Sequence, residues 1–585
     1  VSGPRASSVT GAGDARSQPA SAPTASSDAS AVRSRGRPRP AERIASSPGT
    51  CCVVASSPTS GPAAPAWMGK RQPKQAADRR ALSITTGSGA LPATSDRPAT
   101  DHPRRAGHGQ HSGEVIEAHV GVDPERASGA HWGREGQCAI GGAPRHTRTM
   151  TARESLSRWS TPGSSRVPFW AYTDAQLYAQ ELEKIFYGAH WSYVGLEVEI
   201  PNTGDFKLSH IGERQVIVVR DRVAPKDRGV DPGIRVVENR CAHRGVRFCQ
   251  QPHGNARSFV CPYHQWTYKL NGDLAGLPFK DGVKDGDCVN GGMPADFDLK
   301  DHGLTKLRVA VLHGLVFATF SESVEPLVEY LGPQVMPWLD RIFQGKTLSL
   351  LGYNRQRIPG NWKLMMENIK DPYHPGLLHT WFVTFGLWRA DQKSRMVMDA
   401  HGRHAVMVSS RNEGGQNAAV TAGVTSFKAD MTLHDDRLLD VVPEPWWTID
   451  DPAAPGTKLT PSVTMITLFP SLIIQQQVNS LSTRHIVPRS AGEFDFVWTH
   501  FGFADDTPEM TRRRLRQANL FGPAGFVSAD DGEVIEFSQD GFQQWGEGGS
   551  TLCELGGTGT GPAGHMVTET LIRSMYAYWK KVMGV

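Results

Sequence analysis

The sequence predicts an α+β protein: two folded domains behind a long N-terminal extension that has no core of its own. Three observations carry this. Residues 1–149 are dominated by Ala, Gly, Pro, Ser, Thr and Arg, and their few large apolar residues follow neither a helical nor a strand period. From Trp191 the chain reads as short strands separated by Gly, Pro and Asp turns. Further on, regular strands give way to helical stretches, which suggests an antiparallel sheet with helices on one face.

The extension cannot bury enough apolar surface to offset the entropy of ordering it, so it is expected to be disordered. No apolar stretch follows a basic start, which argues against a secretory signal. A transit peptide would also be rich in Arg and Ser, but this segment is long for one and carries acids. The simplest reading is a misassigned start, with Met150 as the first residue. His102, His108, His111 and Cys138 therefore receive no metal role. The whole chain of 585 residues is long enough for two or three domains, and its 15 Trp and 22 Phe supply a large core. A net charge of only +4 gives no reason to expect a nucleic-acid partner. Eight cysteines in this length do not suggest a disulfide framework. No run of about 18 apolar residues marks a membrane span.

Residues 150–189 form the lead-in to the second domain. Thr173-Asp-Ala-Gln176 resembles a capping box, and Leu177, Leu182, Ile185 and Phe186 approximate one helical face. The first domain is placed at 190–320, with strands at Trp191–Leu196, Arg214–Val219, Ile234–Val237 and Leu312–Phe320. The second runs from 321 to 585. It opens with a helical stretch from Pro326 to Phe343, followed by a helix at Asn361–Asn368. Strands then follow at 404–408, 462–469, 472–478, 482–487 and 494–501. Thr507-Pro-Glu-Met starts a helix with an N-cap and Pro at N1, whose Arg512, Arg513, Arg514 and Arg516 read as a solvated face. No internal repeat is present.

Two motifs carry chemistry. The first domain holds Cys241-Ala-His243, then seventeen residues, then Cys261-Pro-Tyr-His264. Each half offers one thiolate and one imidazole. A Cys2His2 zinc site would more commonly pair Cys with Cys and His with His. The mixed halves instead suit a Rieske [2Fe-2S] centre, in which cysteines hold one iron and histidines the other. The second domain holds Glu367-Asn-Ile-Lys-Asp371-Pro-Tyr-His374-Pro-Gly-Leu-Leu-His379, with two histidines five apart. Two imidazoles and one carboxylate hold Fe(II) on one face and leave positions open for O2 and substrate. Residues five apart on an unbroken helix diverge, and Pro375-Gly376 is read as the break that lets both rings converge. Two ordinary buried histidines would be the better reading without the upstream cluster motif. Ser528-Ala-Asp-Asp531 offers the third acid, although it is also a helix start at which acids favour the dipole.

With the flanks Cys-Ala-His-Arg244-Gly245 and Cys-Pro-Tyr-His-Gln-Trp266, the chain from about Phe169 resembles the large (alpha) subunit of Rieske non-haem iron aromatic-ring-hydroxylating dioxygenases. The resemblance implies an all-β Rieske domain and a helix-grip catalytic domain of Bet v1-like or START-like type. It implies that Cys241 and Cys261 ligate one cluster iron and His243 and His264 the other. His374, His379 and Asp531 would hold mononuclear Fe(II), Asp531 being chosen over Asp530 as the last of the acidic pair after Phe521-Gly-Pro-Ala-Gly. Asn368, Phe521 and Val527 would border the substrate pocket, and Phe521 and Val527 could equally be core residues. Asp371 would link His264 of one subunit to His374 of the next, in a homotrimer or in an alpha3beta3 assembly with a small beta subunit. Glu367 reads as structural.

Oxygenating an aromatic ring with O2 takes two outside electrons, and no Gly-x-Gly-x-x-Gly run stands in the strand-turn-helix setting of an NADH fingerprint. The family resemblance implies that NADH acts indirectly, through a reductase and/or ferredoxin. A thiolate cluster and ferrous iron suit a reducing cytoplasm. The stretches from Asn368 to Trp388 and from Gly522 to Gln539 look most similar to the branch acting on aromatic carboxylates. In naphthalene- and biphenyl-type members, the spacing matching Asn368 to Asp371 is one residue longer. The first expectation is anthranilate 1,2-dioxygenation to catechol with loss of ammonia and CO2; the second is salicylate hydroxylation. A carboxylate needs a cationic or polar partner, and Arg389, Arg484, Gln475 and Gln476 are the candidates. An electron carrier using the Rieske domain alone is the remote alternative, disfavoured by the intact second ligand set.

Overall fold

The computed structural model describes residues 159, 162–227, 229–379, 392–410, 442, 444, 448–451, 454–525, 527–545 and 552–585, all within one unit of the chain, Ala130–Val585. The extension of residues 1–149, Met150 and Arg389 lie outside them. Among the described residues, no helix is long and apolar enough to cross a membrane.

The strand Arg214–Arg220 explains why the first domain is all-β. Its Val216 and Val218 enter one apolar cluster, and its Ile217 and Val219 enter another, so both faces are buried. It pairs antiparallel with Ile234–Glu238 and Asp205–Ile211, and His253–Asn255 closes the four-stranded sheet. A three-stranded sheet of Phe259–Val260, Thr267–Tyr268 and Leu274–Gly276 faces it across a core of Phe206, Ile217, Phe248, Phe259 and Tyr268. Cys241 and Cys261 lie in that same core. Ser192–Leu196, Leu315–Thr319 and Arg308–Leu312 make a third sheet. It seats against the second domain, where the Tyr193 hydroxyl lies 3.0 Å from that of Thr483.

The second domain is built on seven strands: β1 (Leu348–Ile358), β2 (Lys393–Met398), β3 (Ala405–Ser410), β4 (Val463–Leu468), β5 (Leu472–Gln477), β6 (Ser480–Ser490) and β7 (Glu493–Phe503). They form one antiparallel sheet in the order β1-β7-β6-β5-β4-β3-β2. Among its helices are α1 (Trp362–Lys370), α2 (Pro508–Phe521), α3 (Ser528–Trp545) and α4 (Thr570–Met583). Helix α1 lays Trp362, Met365, Met366 and Ile369 on the face that carries Ile473, Ile486, Phe496 and Trp498. The other face is covered too. Ile466, Ile474, Leu481 and Phe501 pack with Trp338, Leu339, Ile342 and Phe343. Helices on one face alone would not suffice, because successive residues of β5 are all buried.

Several local expectations are corrected. The lead-in helix Ala175–Glu181 is capped by Asp174, whose carboxylate accepts from the backbone N–H of Gln176 and Leu177, not by Thr173. The helix then widens into a π-turn over Leu182–Phe186. The stretch Pro326–Phe343 is two helices, Leu327–Leu331 and Met336–Phe343, because Gly332 stops the first at φ 80°. Thr507 caps α2 as expected, accepting from Met510 N–H. Arg514, however, is not on a solvated face. It is 1% exposed and bonds Asp506 and Glu444, whereas Arg512 and Arg516 are exposed.

Candidate metal centres

The two Cys-x-His loops are built alike. In the first, Cys241 N–H donates to Val246 C=O and Gly245 N–H donates to Cys241 C=O, each at 2.9 Å. In the second, Cys261 N–H donates to Trp266 C=O and Gln265 N–H to Cys261 C=O, again at 2.9 Å. The fifth residue of each loop adopts a left-handed backbone, Gly245 at φ 72° and Gln265 at φ 57°. Glycine takes that conformation freely; glutamine is held there under strain. Each tight loop thus buries its cysteine and leaves its histidine toward the rim. The His243 and His264 rings face one another, 4.6 Å between centroids, and His243 stacks on Trp266 at 4.8 Å.

This arrangement fits a [2Fe-2S] cluster. Cys241 and Cys261 are free thiols, buried and close enough to perturb one another. Burial, aided by that proximity, raises the Cys261 thiol pKa, as expected of a donor awaiting a cation. Nδ1 of His243 is a buried polar atom without a hydrogen-bond partner. Tyr268 accepts from Ala242 N–H, which leaves its own proton for Cys241 Sγ at 3.2 Å.

The second centre begins at the end of α1. Asp371 precedes Pro372, and a residue before proline leaves the helical region; Asp371 sits at φ −100°, ψ 97°. Its carboxylate accepts from Tyr373 N–H at 2.7 Å. The helix break therefore falls at Pro372 and not at Pro375-Gly376. Pro375 instead opens a four-residue helical turn, Pro375–Leu378, flanked by His374 and His379. This turn brings the two rings to 5.3 Å between centroids.

Asp531, in the first turn of α3, meets both rings. Its Oδ1 is 3.5 Å from His374 Nε2 and 3.2 Å from His379 Nε2. One ligand atom from each of the three residues lies within 4.8 Å of the others. The far nitrogen of each ring faces another acid. His374 Nδ1 is 3.3 Å from Asp371 Oδ2 but off the hydrogen-bond axis, and His379 Nδ1 is bonded to Asp530 Oδ2 at 3.2 Å. Asn368 Nδ2 donates to Asp531 Oδ1 at 3.0 Å.

The electrostatics suit a dication. Burial alone would raise the Asp531 pKa, but His374 and His379 hold it far below the usual carboxylate range. Burial pulls the His374 pKa down, yet Asp371 and Asp531 outweigh it and lift it to about 9. Charges that retain a proton so strongly would also retain a metal cation in its place. Two imidazoles and one carboxylate, with His379 and Asp531 each held by an outer hydrogen bond, are the donor set that fits non-haem iron.

Residues 190–286 match the Rieske [2Fe-2S] domain, and residues 346–584 match the catalytic domain of the ring hydroxylating alpha subunit. The chain is 63% identical over 427 residues to the salicylate 5-hydroxylase large oxygenase component of a Ralstonia sp, covering 73% of this chain and 96% of that one. The chain belongs to the ring-hydroxylating oxygenase alpha subunits. It is 41% identical to the anthranilate 1,2-dioxygenase large subunit of Burkholderia cepacia, over 74% of this chain and 98% of that one. In fold it resembles a naphthalene 1,2-dioxygenase solved with indole in its active site, at a TM-score of 0.56 and 23% identity, over 73% of this chain and 94% of that one. As a member of this family it is an oxidoreductase whose cofactors are a Rieske [2Fe-2S] cluster and mononuclear non-haem iron.

The remaining expected site residues fall as follows. Asn368 lines a cavity of about 210 Å³ together with Glu367, Asp371, His374, Ser538 and Glu569. Phe521 and Val527 are buried on either side of the turn that leads into α3. Glu367 is held by two tyrosines, Tyr172 at 3.2 Å and Tyr576 at 2.5 Å. Two functional contacts escaped the sequence reading, those of Asp530 and Tyr268. An acid in a helix's first turn, or a tyrosine in a short strand, carries no signal of such a partner.

Proposed function

We propose that this oxygenase subunit hydroxylates an aromatic carboxylate, with salicylate as the first candidate and anthranilate as the second. The observation that carries the reading is the 63% identity to the salicylate 5-hydroxylase large component along nearly its whole length, against 41% for the anthranilate enzyme. This reverses the order expected from the motifs alone. The overall reaction would be salicylate, O2, NADH and a proton giving 2,5-dihydroxybenzoate, water and NAD+.

In this reading Cys241, Cys261, His243 and His264 hold the cluster, and His374, His379 and Asp531 hold the iron. When bound, the cluster carries electrons singly and the iron activates O2. The protein's own residues prepare that chemistry. Asp530 fixes the tautomer of His379, so that Nε2 presents its lone pair. Asn368 pins Asp531 by one oxygen. Burial of His379 and Asp531, 2% and 5% exposed at the side chain, keeps bulk water from that side of the site.

Electrons would come from NADH through a reductase, with or without a ferredoxin. The relatives are named as components or subunits of larger enzymes, which supports separate partners. A trimeric ring, alone or with a small beta subunit, and a cytoplasmic location belong to the same reading. The test is product analysis with a compatible reductase. Salicylate should yield 2,5-dihydroxybenzoate. Catechol from anthranilate, with no product from salicylate, would favour the second candidate; no product from either would reject the reading.

A further inference from the structure

Arg484 is the residue the fold leaves unexplained. It lies on β6, between Ile473 of β5 and Trp498 of β7. Side chains alternate along a strand, so it shares a face with Ile486, which packs in the same core as α1. The residue is only 2% exposed. The central carbon of its guanidinium sits over Trp498, 3.8 Å from the ring centroid. Nε is a buried donor without an acceptor, and among the described residues the side chain makes no hydrogen bond. Of the other candidates for binding a carboxylate, Arg389 lies outside the described residues and both glutamines are already engaged. Gln476 bonds Arg341 and two backbone carbonyls, and Gln475 bonds Gln477 and Ser482.

An ionised side chain in an apolar core needs a partner, and a guanidinium without one is costly to keep. Stacking on an indole offsets part of that cost. Asp531 acts on Arg484 through its charge and counters the effect of burial, which places the guanidinium within electrostatic reach of the iron site. A flat fork of donors, unpaired and held by a ring, matches a carboxylate in shape and charge.

We propose that Arg484 anchors the carboxylate of the substrate and so sets the ring's position relative to His374, His379 and Asp531. This rests on the reading of the substrate as an aromatic carboxylate. The test compares binding of salicylate with that of salicylamide, its neutral analogue, to the iron-loaded holoenzyme in the absence of reductant, by calorimetry. The wild type should prefer salicylate. Arg484→Gln should weaken salicylate about a hundredfold, the scale of a lost charged hydrogen-bond pair, and leave salicylamide nearly unchanged. Arg484→Lys keeps the charge without the fork and should fall between. Equal salicylate binding by wild type and Arg484→Gln would overturn the assignment while leaving the aromatic-carboxylate reading intact. Parallel loss of both compounds would overturn it as well, since a structural role does that. Wild-type enzyme that binds no aromatic carboxylate would overturn the underlying reading and the anchor with it. Should Arg484→Gln lose its iron, Arg484→Lys decides by the same comparison: selective loss of salicylate supports the anchor, and no selective loss rejects it.

Discussion

Asp530 and His379 are joined through the ring nitrogen that points away from Asp531, at 3.2 Å from Oδ2 to Nδ1. Neighbouring acids on α3 thus grip one imidazole from its two ends. Asp531 supplies a ligand-type oxygen, and Asp530 orients the ring. Replacing Asp531 by Ala should abolish iron retention. Asp530→Asn should keep the fold and weaken iron binding by about 10–100-fold, the usual cost of losing such an orienting partner. Iron content after dialysis against a graded chelator series measures both. Wild-type retention in Asp530→Asn would show that this contact does not tune the site.

The cluster loops give a second test. Tyr268 is placed to donate to Cys241 Sγ, and hydrogen bonds to cluster sulfurs favour the reduced, more negative state. Tyr268→Phe should keep the Rieske absorption and lower the reduction potential. Cys241→Ser or His264→Ala should remove the absorption altogether. An unchanged potential in Tyr268→Phe, by redox titration, would contradict the role drawn from the contact.

Glu367 predicts a pH effect. Burial raises its pKa from 4.5 to about 7, against the opposing bonds from Tyr576 and Tyr172. The folded chain then binds more protons at this group than the unfolded one between those values, so the contribution of Glu367 to stability is fully present below pH 4.5 and is lost as pH rises through 7. The loss attributable to this group is at most about 3 kcal/mol, because a tenfold change in proton affinity is worth about 1.4 kcal/mol. Glu367→Gln cannot ionise. Its Tm relative to wild type should therefore rise between pH 5 and pH 8. A constant difference across that range would remove Glu367 as the cause.

Arg514 shows where the sequence stops being legible. Four arginines in five positions of a capped helix read as a wet face, and for Arg512 and Arg516 the reading holds. Arg514 is buried because Asp506 and Glu444 meet it, and Glu444 lies 70 residues away in the chain. Nothing local marks that pairing. The same is true of Glu181, which accepts from the indoles of Trp362 and Trp579 and pairs with Lys363 at 2.7 Å. By contrast, the two Cys-x-His-type loops and the pair His374 and His379 stand out in the sequence because metal-ligand residue types recur there at short, fixed spacing. The place of Arg484 against Trp498 does not, since it arises only through the pairing of β6 with β7. Arg514→Ala should destabilise the protein by about 3 kcal/mol, because it leaves two largely buried carboxylates without their cation. Denaturant unfolding measures it, and a loss below about 1 kcal/mol, the value of an exposed pair, would show the network to be weak.

The last prediction concerns Asp371 and the assembly. Asp371 lies beside His374 Nδ1, keeps part of its side chain exposed, and lines a cavity with Asn368 and Glu569. If a neighbouring subunit presents His264 there, Asp371 bridges a cluster histidine and an iron histidine. A closed ring would satisfy every such contact, which is the reason to expect a trimer. Asp371→Asn and Asp371→Ala should retain both metals and a reducible cluster yet lose most turnover. Complementation then separates this from a local effect on His374. Asp371→Ala chains keep a working His264, and His264→Ala chains keep a working Asp371. Mixed rings restore interfaces where both residues are intact, so activity should partly return, as measured by product formation after proven subunit exchange. No recovery, or a fully active monomer, would place electron delivery within a single chain and leave Asp371 only its local contact with His374.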